Sequence, residues 1–402
     1  MSSHPLAQTI EARGCTIELR CVEGPIAREI FFAGRPTGEA APSARAQAEA
    51  IYDALRAVLE GAGGPFPTIV SETVYLRSLA ADLEPVRDAR AVAFGERDAL
   101  GGCPARAAIE QAPLREGAHV EIAGQALAPR DGDLLVECTA PGTGGANAAR
   151  APSRALGFRL GDERHLRVAG LCGRGAGARA QALDLFERAE GLLRREGLDF
   201  GDVVRTWLHC RDIDRDYAEL NRARRTFFAA RGIDPPPAST GIGGGPALAA
   251  SDLGLTVHAL ASARPRPRTV MHSPTLNEAW EYGADFVRGL RVAEANKVSL
   301  HLSGTASIDE RGRTAHAGDL DAQVNRMLRN VSALLEGQGA GLRDVVSAVT
   351  YLRDPADAAR LQARLRAAGF TGFPNVLVAA PICRPDLLCE TEVLAVLPAV
   401  DA

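Results

Sequence analysis

The sequence VVSAVTYLR, at residues 345–353, decides the fold because related text occurs twice more in the chain. The counterparts are IVSETVYLR at 69–77 and VVRTWLHCR at 203–211. Each stretch ends in an arginine that follows a glutamine by thirty residues: Gln47/Arg77, Gln181/Arg211 and Gln323/Arg353. The three arginines are 134 and 142 residues apart, which is the length of a compact domain and far longer than a solenoid repeat. The sequence therefore predicts three copies of one domain.

Each copy has the same predicted order of secondary structure. A strand ending in glycine comes first, followed by a long amphipathic helix, a Gly-rich turn, the VV…YLR strand, a second helix and the final strands. The first helices are predicted at 44–59, 178–196 and 321–336, and the last strands at 119–127, 254–261 and 387–397. In the third copy Val324, Met327, Leu328 and Val331 recur at helical spacing, so one apolar stripe is expected to lie on a sheet. The fold class is therefore predicted to be α/β (α+β).

The repeat divides the chain into five expected segments. Three domains are expected at 1–128, 158–262 and 292–402. The stretch 129–157 is rich in Gly, Ala and Pro and is expected to be a linker. The stretch 263–291 contains aromatic residues and is expected to connect the last two domains and contribute to a pocket.

Composition narrows the function classes. The 402-residue chain is 46% hydrophobic with a formal net charge of −4 and a pI near 6.1, so a nucleic-acid partner is not expected. Its apolar runs are strand-sized and the N-terminus lacks a signal-peptide pattern, so neither a membrane span nor export is expected. Eight cysteines without a CxxC or zinc-like spacing favour the cytoplasm and predict no metal site. The string GIGGG at 241–245 lacks the Lys-Ser/Thr of a P-loop, so no cofactor is expected.

The last strands of the three copies differ in their acids. The first copy carries Glu121 alone, and Thr256 and His258 are expected at the corresponding positions of the second. The third copy carries two alternating acids, Glu390 and Glu392, which point to one face because strand side chains alternate. The sequence predicts one competent site on the third copy, with the other copies as walls and scaffold.

Glu390 is the candidate general acid. It follows the text CRPDLLC, so its carboxyl is expected on a largely apolar strand where desolvation raises the pKa. A protonated carboxylic acid can deliver a proton to the terminal methylene of an enol ether and open the ether to cleavage. The alternative is a structural glutamate that pairs with Arg384 or Arg353 and only holds the sheet.

Longer motifs resemble a known family. The run SGTASID…GDLDAQ…TYLRD at 303–354 and the final ICRPDLLCETEVLA at 382–395 resemble the Rid/YjgF family, whose members form trimers with a ligand pocket at each interface. Within that family RTWLHC at 205–210, ASTGIGGG at 238–245 and YGADFVRG at 282–289 are similar to the chorismatases, which cleave chorismate to pyruvate and a ring product. The resemblance implies an intramolecular pseudo-trimer that acts as a monomer, with further dimerisation left open.

The resemblance also implies roles for three residues. Glu390 matches the acid of the chorismatases. Cys383 and Gly304 match the branch that releases 3-hydroxybenzoate, whereas an alanine at the cysteine position marks the branch that releases a dihydroxy-cyclohexadiene acid. A glycine leaves room over the ring, and a thiol is a small polarizable acid or base. Without the resemblance, Cys383 is interpreted as a buried hydrophobe.

A small carboxylate substrate such as chorismate needs cations and hydrogen-bond donors. The candidate substrate-binding residues are Arg224, Thr240, Gly241, Tyr282, Arg288, Gly304 and Arg384. A guanidinium suits a carboxylate because it donates two parallel hydrogen bonds. The STGIGGG motif offers a hydroxyl and backbone N–H groups, and the tyrosine can close the pocket. A solvated surface residue is the alternative for any single arginine on a helix.

Two positions depart from the chorismatase pattern and keep other functions open. Ala363 stands ten residues after Arg353, where an arginine is expected, and Glu278 stands where a tyrosine is expected. Arg360 and Arg364 lie on the same helix but do not point the same way as residue 363. The alternatives are a related biosynthetic enzyme for another small unsaturated carboxylate, a Rid-type enamine or imine hydrolase, and a non-catalytic ligand-binding pseudo-trimer.

Overall fold

Three mixed β-sheets, each covered on one face by two α-helices, make up the chain in a computed structural model. The structure describes residues 5–12, 14–38, 43–61, 68–94, 104–130, 136–139 and 154–399. The first copy comprises β1 (Leu6–Ala12), β2 (Cys15–Glu23), β3 (Ala27–Pro36), α1 (Ala44–Gly61), β4 (Thr68–Leu76), α2 (Leu79–Phe94), β5 (Ala105–Glu110) and β6 (Val120–Pro129).

The second and third copies repeat this order. The second comprises β7 (Val136–Thr139), β8 (Arg154–Leu160), β9 (Glu163–Cys172), α3 (Gly177–Arg195), β10 (Val203–Cys210), α4 (Ile213–Ala229), β11 (Ala238–Gly243), β12 (Gly245–Pro246) and β13 (Leu253–Ser262). The third comprises β14 (Arg268–Val270), β15 (Gly289–Ala293), β16 (Lys297–Ala306), α5 (Leu320–Glu336), β17 (Val345–Leu352), α6 (Ala358–Ala367), β18 (Asn375–Ala379) and β19 (Cys389–Pro398). The first helix and last strand of each copy lie within two residues of their predicted bounds.

The strand order of the three sheets is the same. Five strands form the shared part of each sheet, in the orders β2-β3-β6-β4-β5, β8-β9-β13-β10-β11 and β15-β16-β19-β17-β18. The last two strands of each order run parallel, whereas the other neighbours run antiparallel. The predicted stripe of α5 is confirmed on the core side, where Val324, Met327 and Val331 are fully buried. Three copies of one domain are therefore present, as the repeat predicts.

The copies close into a ring. The sheet faces that carry no helices pack against each other through three small apolar clusters, one at each junction between copies. A short segment of each copy also pairs with the parallel edge of another: Pro246 with β5, Pro113 with Val378 of β18, and Ile382 with Ile242 of β11. These contacts run head to tail and return to the start, which is the geometry of a cyclic trimer. The predicted intramolecular pseudo-trimer is confirmed.

The Gln/Arg pairs that reveal the repeat hold the loop before each last strand. In the third copy the Gln323 side chain accepts a hydrogen bond from the Leu388 backbone N–H at 2.8 Å. Arg353 donates to the backbone carbonyls of Leu387 and Ile382 at 2.8 and 2.7 Å. The other two pairs hold their loops in the same way. Each pair supplies hydrogen-bond partners to backbone groups of its loop that would otherwise have none, which explains why the pair occurs in all three copies.

The two connecting stretches contain more structure than the sequence predicts. The stretch 129–157, expected to be a linker, contributes β7 and the start of β8 to the second sheet. The stretch 263–291 contributes β14 to the edge of the third sheet, and its Val287 pairs with Ala238 of β11. No helix in the described ranges is both long and apolar enough to cross a bilayer.

Candidate active site

A cavity of about 310 Å³ lies where the second copy, the third copy and the 263–291 stretch meet. Its volume is at the low end of the range for small-molecule sites. The third copy supplies Glu390, Cys383 and Gly304 to its wall, and the connecting stretch supplies Arg288. We call it the Glu390 cavity. The acid strand of the third copy therefore faces the second copy.

The carboxyl of Glu390 is buried and unpaired among the described residues. Only 4% of its surface is exposed, because β19 is a central strand that presents Glu390 opposite Tyr351 of β17. Desolvation, and next the negative charge of Glu392, raise the pKa of Glu390 to about 8, against smaller opposing effects of Arg288 and Arg205. The carboxyl therefore carries its proton at neutral pH. The alternative was a structural ion pair with Arg384 or Arg353. In the structure both arginines instead donate hydrogen bonds to backbone carbonyls.

Glu392 has a different environment although it lies on the same face of β19. Its carboxylate accepts hydrogen bonds from Arg205 at 2.9 Å and from the Trp207 indole at 2.7 Å. It faces a separate cavity of about 140 Å³ between the three sheets. Two carboxyls two residues apart are therefore separated into an ion-paired one and a neutral one, a division that suits acid catalysis.

Gly304 is required by its distance from Glu390. A Cβ atom at this position would collide with the Glu390 Oε1 atom and lie 3.0 Å from its Cδ atom and 3.1 Å from the Thr240 Cγ2 atom. The Thr240 hydroxyl accepts hydrogen bonds from Arg205 at 2.5 Å and from the Gly304 N–H at 3.0 Å. Thr240 therefore fixes the backbone beside the acid, and its hydroxyl oxygen is already occupied by protein donors.

Cys383 lies on the cavity wall as a protonated thiol. Burial, followed by the nearby Glu390, raises the pKa of its thiol to about 12. The thiol packs against the apolar cores of both the second and third copies. The raised pKa disfavours a thiolate base at neutral pH, and the predicted roles as an acid and as a buried hydrophobe both agree with a protonated thiol.

Two of the three candidate arginines line the Glu390 cavity, and the third lies behind its wall. Arg288 and Arg384 line the Glu390 cavity. Arg288 is 5% exposed and is held by the backbone and side-chain oxygens of Asn277 at 2.9 and 3.1 Å. Arg224 is buried behind the wall, where it donates to Asn221 at 2.5 Å and to Ser239 at 3.3 Å. Arg224 thus contacts two wall residues and does not itself line the cavity, and its role as a direct ligand stays a prediction.

The remaining candidates and the missed residues lie on the second copy and the connecting stretch. Gly241 lines the cavity, and a Cβ there would be 2.9 Å from the Tyr217 ring. Tyr217 and Asn221 of α4 complete that wall but were not among the predicted residues. The Tyr282 side chain lies outside the described residues, although its backbone ends a short 3₁₀ helix, Ala279–Tyr282.

The two departures from the chorismatase pattern lie away from this wall. Ala363 is on α6, which faces the first copy, whereas the equivalent position on α4 is Asn221. Arg360 and Arg364 do not compensate for it, because both donate to Asp321 at 2.9 and 2.7 Å. The Glu278 carboxylate forms a hydrogen bond with the His272 ring at 2.6 Å and is not part of the cavity wall.

The register of the last strands corrects the predicted correspondence between copies. Glu390 pairs with Tyr351, two residues before Arg353, and the matching position in the first copy is Glu121 opposite Tyr75. In the second copy His209 pairs with Gly254 and Trp207 with Thr256. The acid positions of the second copy are therefore Gly254 and Thr256, and the prediction of Thr256 and His258 was wrong by two residues. Pro246 packs 2.9 Å from where a Gly254 side chain would begin.

One group of potential metal ligands exists in the part of the chain that the structure describes. Glu163 and His165 of the second copy lie close to Glu294 of the third. Lys297 already forms an ion pair with Glu294 at 3.0 Å and one with Glu29. Because this ammonium supplies the positive charge among the carboxylates, we interpret the group as an ion-pair network between copies and assign no metal to it.

The fold and the cavity between copies define a Rid-type pseudo-trimer, and comparison with known proteins agrees. The family model described as endoribonuclease L-PSP matches residues 26–128 and 284–397, more than half of the chain. The chain therefore belongs to this family, which confirms the predicted Rid/YjgF assignment. The second copy falls outside the matched residues but has the same strand order.

Individual relatives extend over different parts of the chain. A 3-hydroxybenzoate synthase of Streptomyces hygroscopicus is 31% identical over 244 residues, which is 53% of this chain and 67% of that protein. A RutC family protein of Pyrococcus horikoshii is 32% identical over 98 residues, 24% of this chain and 77% of that protein. The crystal structure of a chorismatase superposes with a TM-score of 0.60 at 20% identity and covers 82% of this chain and 93% of that one. At this identity the structural likeness concerns the fold alone.

Proposed function

We propose that the chain is a chorismatase-like lyase that cleaves the enolpyruvyl ether of chorismate, or of a close relative, to pyruvate and 3-hydroxybenzoate. The observation that carries the proposal is the buried Glu390 carboxyl, protonated at neutral pH, in a cavity that also contains Arg288 and Arg384. The 31% identity to a 3-hydroxybenzoate synthase supports this choice of product.

Glu390 supplies the proton that the reaction needs. It donates to the methylene carbon of the enolpyruvyl group, which leaves an oxocarbenium-like carbon and a Glu390 carboxylate. The ether bond then breaks with its electron pair on oxygen, and pyruvate leaves as the ketone. As the C3–O bond breaks, the oxygen of the ring's own 4-hydroxyl bonds to C3 to form an epoxide, and the proton of that hydroxyl returns to Glu390. The epoxide then opens at C4, and transfer of the C3 proton to the oxygen gives the aromatic ring with its hydroxyl at position 3. Pyruvate and 3-hydroxybenzoate together contain the atoms of chorismate, so this route consumes no water.

The cations bind the carboxylates of the substrate. Arg384 lies on the loop between Cys383 and Glu390, and Arg288 lies across the cavity on the connecting stretch. Both side chains are held by protein oxygens, Arg288 by Asn277 and Arg384 by the Gly312 carbonyl at 2.7 Å. Held guanidinium groups lose little freedom when a carboxylate binds, so their binding energy is available to orient the ether toward Glu390.

Incubation with chorismate tests the proposal. Pyruvate release, followed by coupling to lactate dehydrogenase, is expected together with stoichiometric 3-hydroxybenzoate by liquid chromatography. Turnover is expected to fall as the pH rises through about 8, because the acid form of Glu390 is lost above its pKa. A protein that binds chorismate without releasing pyruvate contradicts the proposal and favours the non-catalytic alternative.

Replacement of Cys383 tests the choice of product. The Cys383→Ala variant opens room for a water molecule in the wall, and attack by water gives the dihydroxy-cyclohexadiene acid instead of the aromatic acid. We expect pyruvate release to continue while the ratio of diene acid to aromatic acid rises ~tenfold. Mass spectrometry of the products measures this ratio. Cys389→Ala is the matched control, because this cysteine is fully buried in the third core and is not part of the cavity wall. An identical product ratio in both variants would remove Cys383 from product control.

A further inference from the structure

The cavity of about 140 Å³ that Glu392 faces lies at the centre of the ring, between the helix-free faces of all three sheets. Phe31 of β3, Arg167 of β9 and His301 of β16 line it. These three residues are equivalent, because each takes the same register against the last strand of its own copy. Equivalent residues of a cyclic trimer meet around its axis. We call this space the axial cavity.

Only the second copy places arginines around the axial cavity within the described residues. One is Arg167, and the other is Arg205 of β10. Arg205 stands where the first and third copies carry Ser71 and Ser347, as the strand register shows. The two short side chains leave the space that larger ones would fill. The cavity therefore combines small polar groups from two copies with two cations from one.

The two arginines differ in their partners. Arg205 forms an ion pair with Glu392 at 2.9 Å, so its charge is balanced by direct contact. The Nη2 atom of Arg167 donates a hydrogen bond to the amide oxygen of Gln125 at 2.6 Å. Its Nε atom is buried without a partner, and it forms no ion pair with any residue that the structure describes. Arg167 is therefore a buried cation held in place by a neutral group.

The carboxylates nearest to Arg167 are bound elsewhere. Glu29 accepts a hydrogen bond from the Gln125 amide at 2.8 Å and pairs with Lys297. Glu294 pairs with the same ammonium at 3.0 Å. Burial lowers the pKa of the Arg167 guanidinium to about 10, and the charges of Glu29 and Glu294 oppose this effect only in part. A buried cation without a contacting counter-ion costs free energy, which an anion in the cavity would offset.

Hydroxyl groups complete the polar lining. Ser71, Thr256 and Ser347 line the cavity and are only partly buried, and their hydroxyls form no side-chain hydrogen bond with the described residues. A hydroxyl can turn to donate its proton to an anion. Water occupies about 30 Å³ per molecule in the liquid, so the cavity has room for one small anion with a few waters. The Glu390 cavity, at about 310 Å³, is more than twice as large.

We propose that the axial cavity binds a small inorganic monoanion, of the size of chloride, bromide or nitrate, held by the Arg167 guanidinium and the surrounding hydroxyls. The site lies on the axis of the ring, is separate from the Glu390 cavity and does not rest on the proposed function. The bound ion stabilises the closed ring, because only the folded ring brings the groups of three copies together. The second copy, which carries no acid on its last strand, thereby supplies the cation of this site.

Anomalous diffraction from crystals of the unmodified full chain, grown with sodium bromide, locates the ion directly. A bromide peak is expected in the axial cavity, within hydrogen-bonding distance of the Arg167 guanidinium. A cavity that holds water and no anomalous peak overturns the proposal. This measurement needs no variant, so it decides the matter even if replacement of Arg167 prevents folding.

Thermal melts of the full chain measure binding in solution. Sodium gluconate, whose anion is too large for the cavity, is replaced stepwise by sodium bromide at constant ionic strength. The Tm of the unmodified chain is expected to rise and to saturate, because the ion binds only the folded ring. Arg167→Gln is expected to need at least ~tenfold more bromide for half of the rise, because a charge-assisted contact is lost.

Arg329→Gln is the matched control for the melts. Arg329 is an exposed cation of α5 that does not line the axial cavity. Its bromide response is expected to equal that of the unmodified chain. The same response in Arg167→Gln as in Arg329→Gln overturns the proposal. Neither the diffraction nor the melts use turnover, so failure here is distinct from failure of the chorismate reaction.

Discussion

Glu390→Gln is expected to lower the rate of pyruvate release from chorismate by about 10² to 10⁴-fold, the range for removal of a general acid. The amide keeps the size of the side chain but carries no transferable proton. Substrate affinity is expected to change little, because Arg288 and Arg384 still line the cavity. Steady-state kinetics with a coupled pyruvate assay separates the two effects, with the loss in kcat and little change in KM.

Glu163→Gln is the matched control for this loss. Glu163 is also a buried carboxyl, 1% exposed, whose pKa is raised to about 7 by desolvation. It lies at the junction of copies away from the Glu390 cavity, so turnover within about twofold of the unmodified chain is expected. Equal losses in both variants would show that buried carboxyls affect the fold and would remove Glu390 from the proton transfer.

Gly304→Ala is expected to lower kcat by about a hundredfold with little loss of stability. The added Cβ would collide with Glu390 Oε1 and also approach Thr240 Cγ2 at 3.1 Å, so the carboxyl must rotate away from its place in the cavity. A displacement of about 1 Å at a reacting group is enough for a loss of this size. The carboxyl is the free end of a side chain and moves without disturbing the sheet.

The control for Gly304→Ala is Gly191→Ala in α3. No heavy atom lies within 4 Å of the Cβ position at Gly191, and alanine is favoured in a helix. Its turnover is expected to match the unmodified chain. Full activity in Gly304→Ala would mean that the carboxyl tolerates displacement and that its position beside this glycine is not needed for catalysis.

The three-copy fold could be predicted from the sequence because the Gln/Arg spacing repeats. The acid strand could be predicted because its two acidic residues alternate along the last strand. The Gln/Arg pairs recur because each closes a loop through backbone hydrogen bonds, which requires a fixed spacing from the helix to the strand. Glu390 could be identified because it is an acidic residue in an otherwise largely apolar strand sequence. Its burial and its place in a cavity between copies agree with the sequence-based expectation.

The other walls of the site could not be predicted, because they come from elements far apart in the chain. The distance from the YLR arginine to the last strand differs between copies. The acid positions of the second copy were therefore predicted at Thr256 and His258, two residues beyond the positions that the strand register gives. Comparison with the chorismatase pattern marked Ala363 as a missing arginine, although its helix α6 faces the first copy. Asn221 and Tyr217 on α4 carry no sequence signal of their own. Their role follows from the head-to-tail ring, which brings α4 of one copy to the acid of another.

The protonation state of Glu390 decides whether this residue can act as the general acid. Infrared difference spectra between the unmodified chain and Glu390→Gln, recorded across pH, isolate the carbonyl band of this carboxylic acid. The band is expected to be present at pH 7 and to disappear with a midpoint of about 8. A midpoint near 4.5, the ordinary pKa of a glutamate side chain, would contradict acid catalysis by Glu390. In that case Glu390 would be ionised at neutral pH and could not serve as the acid.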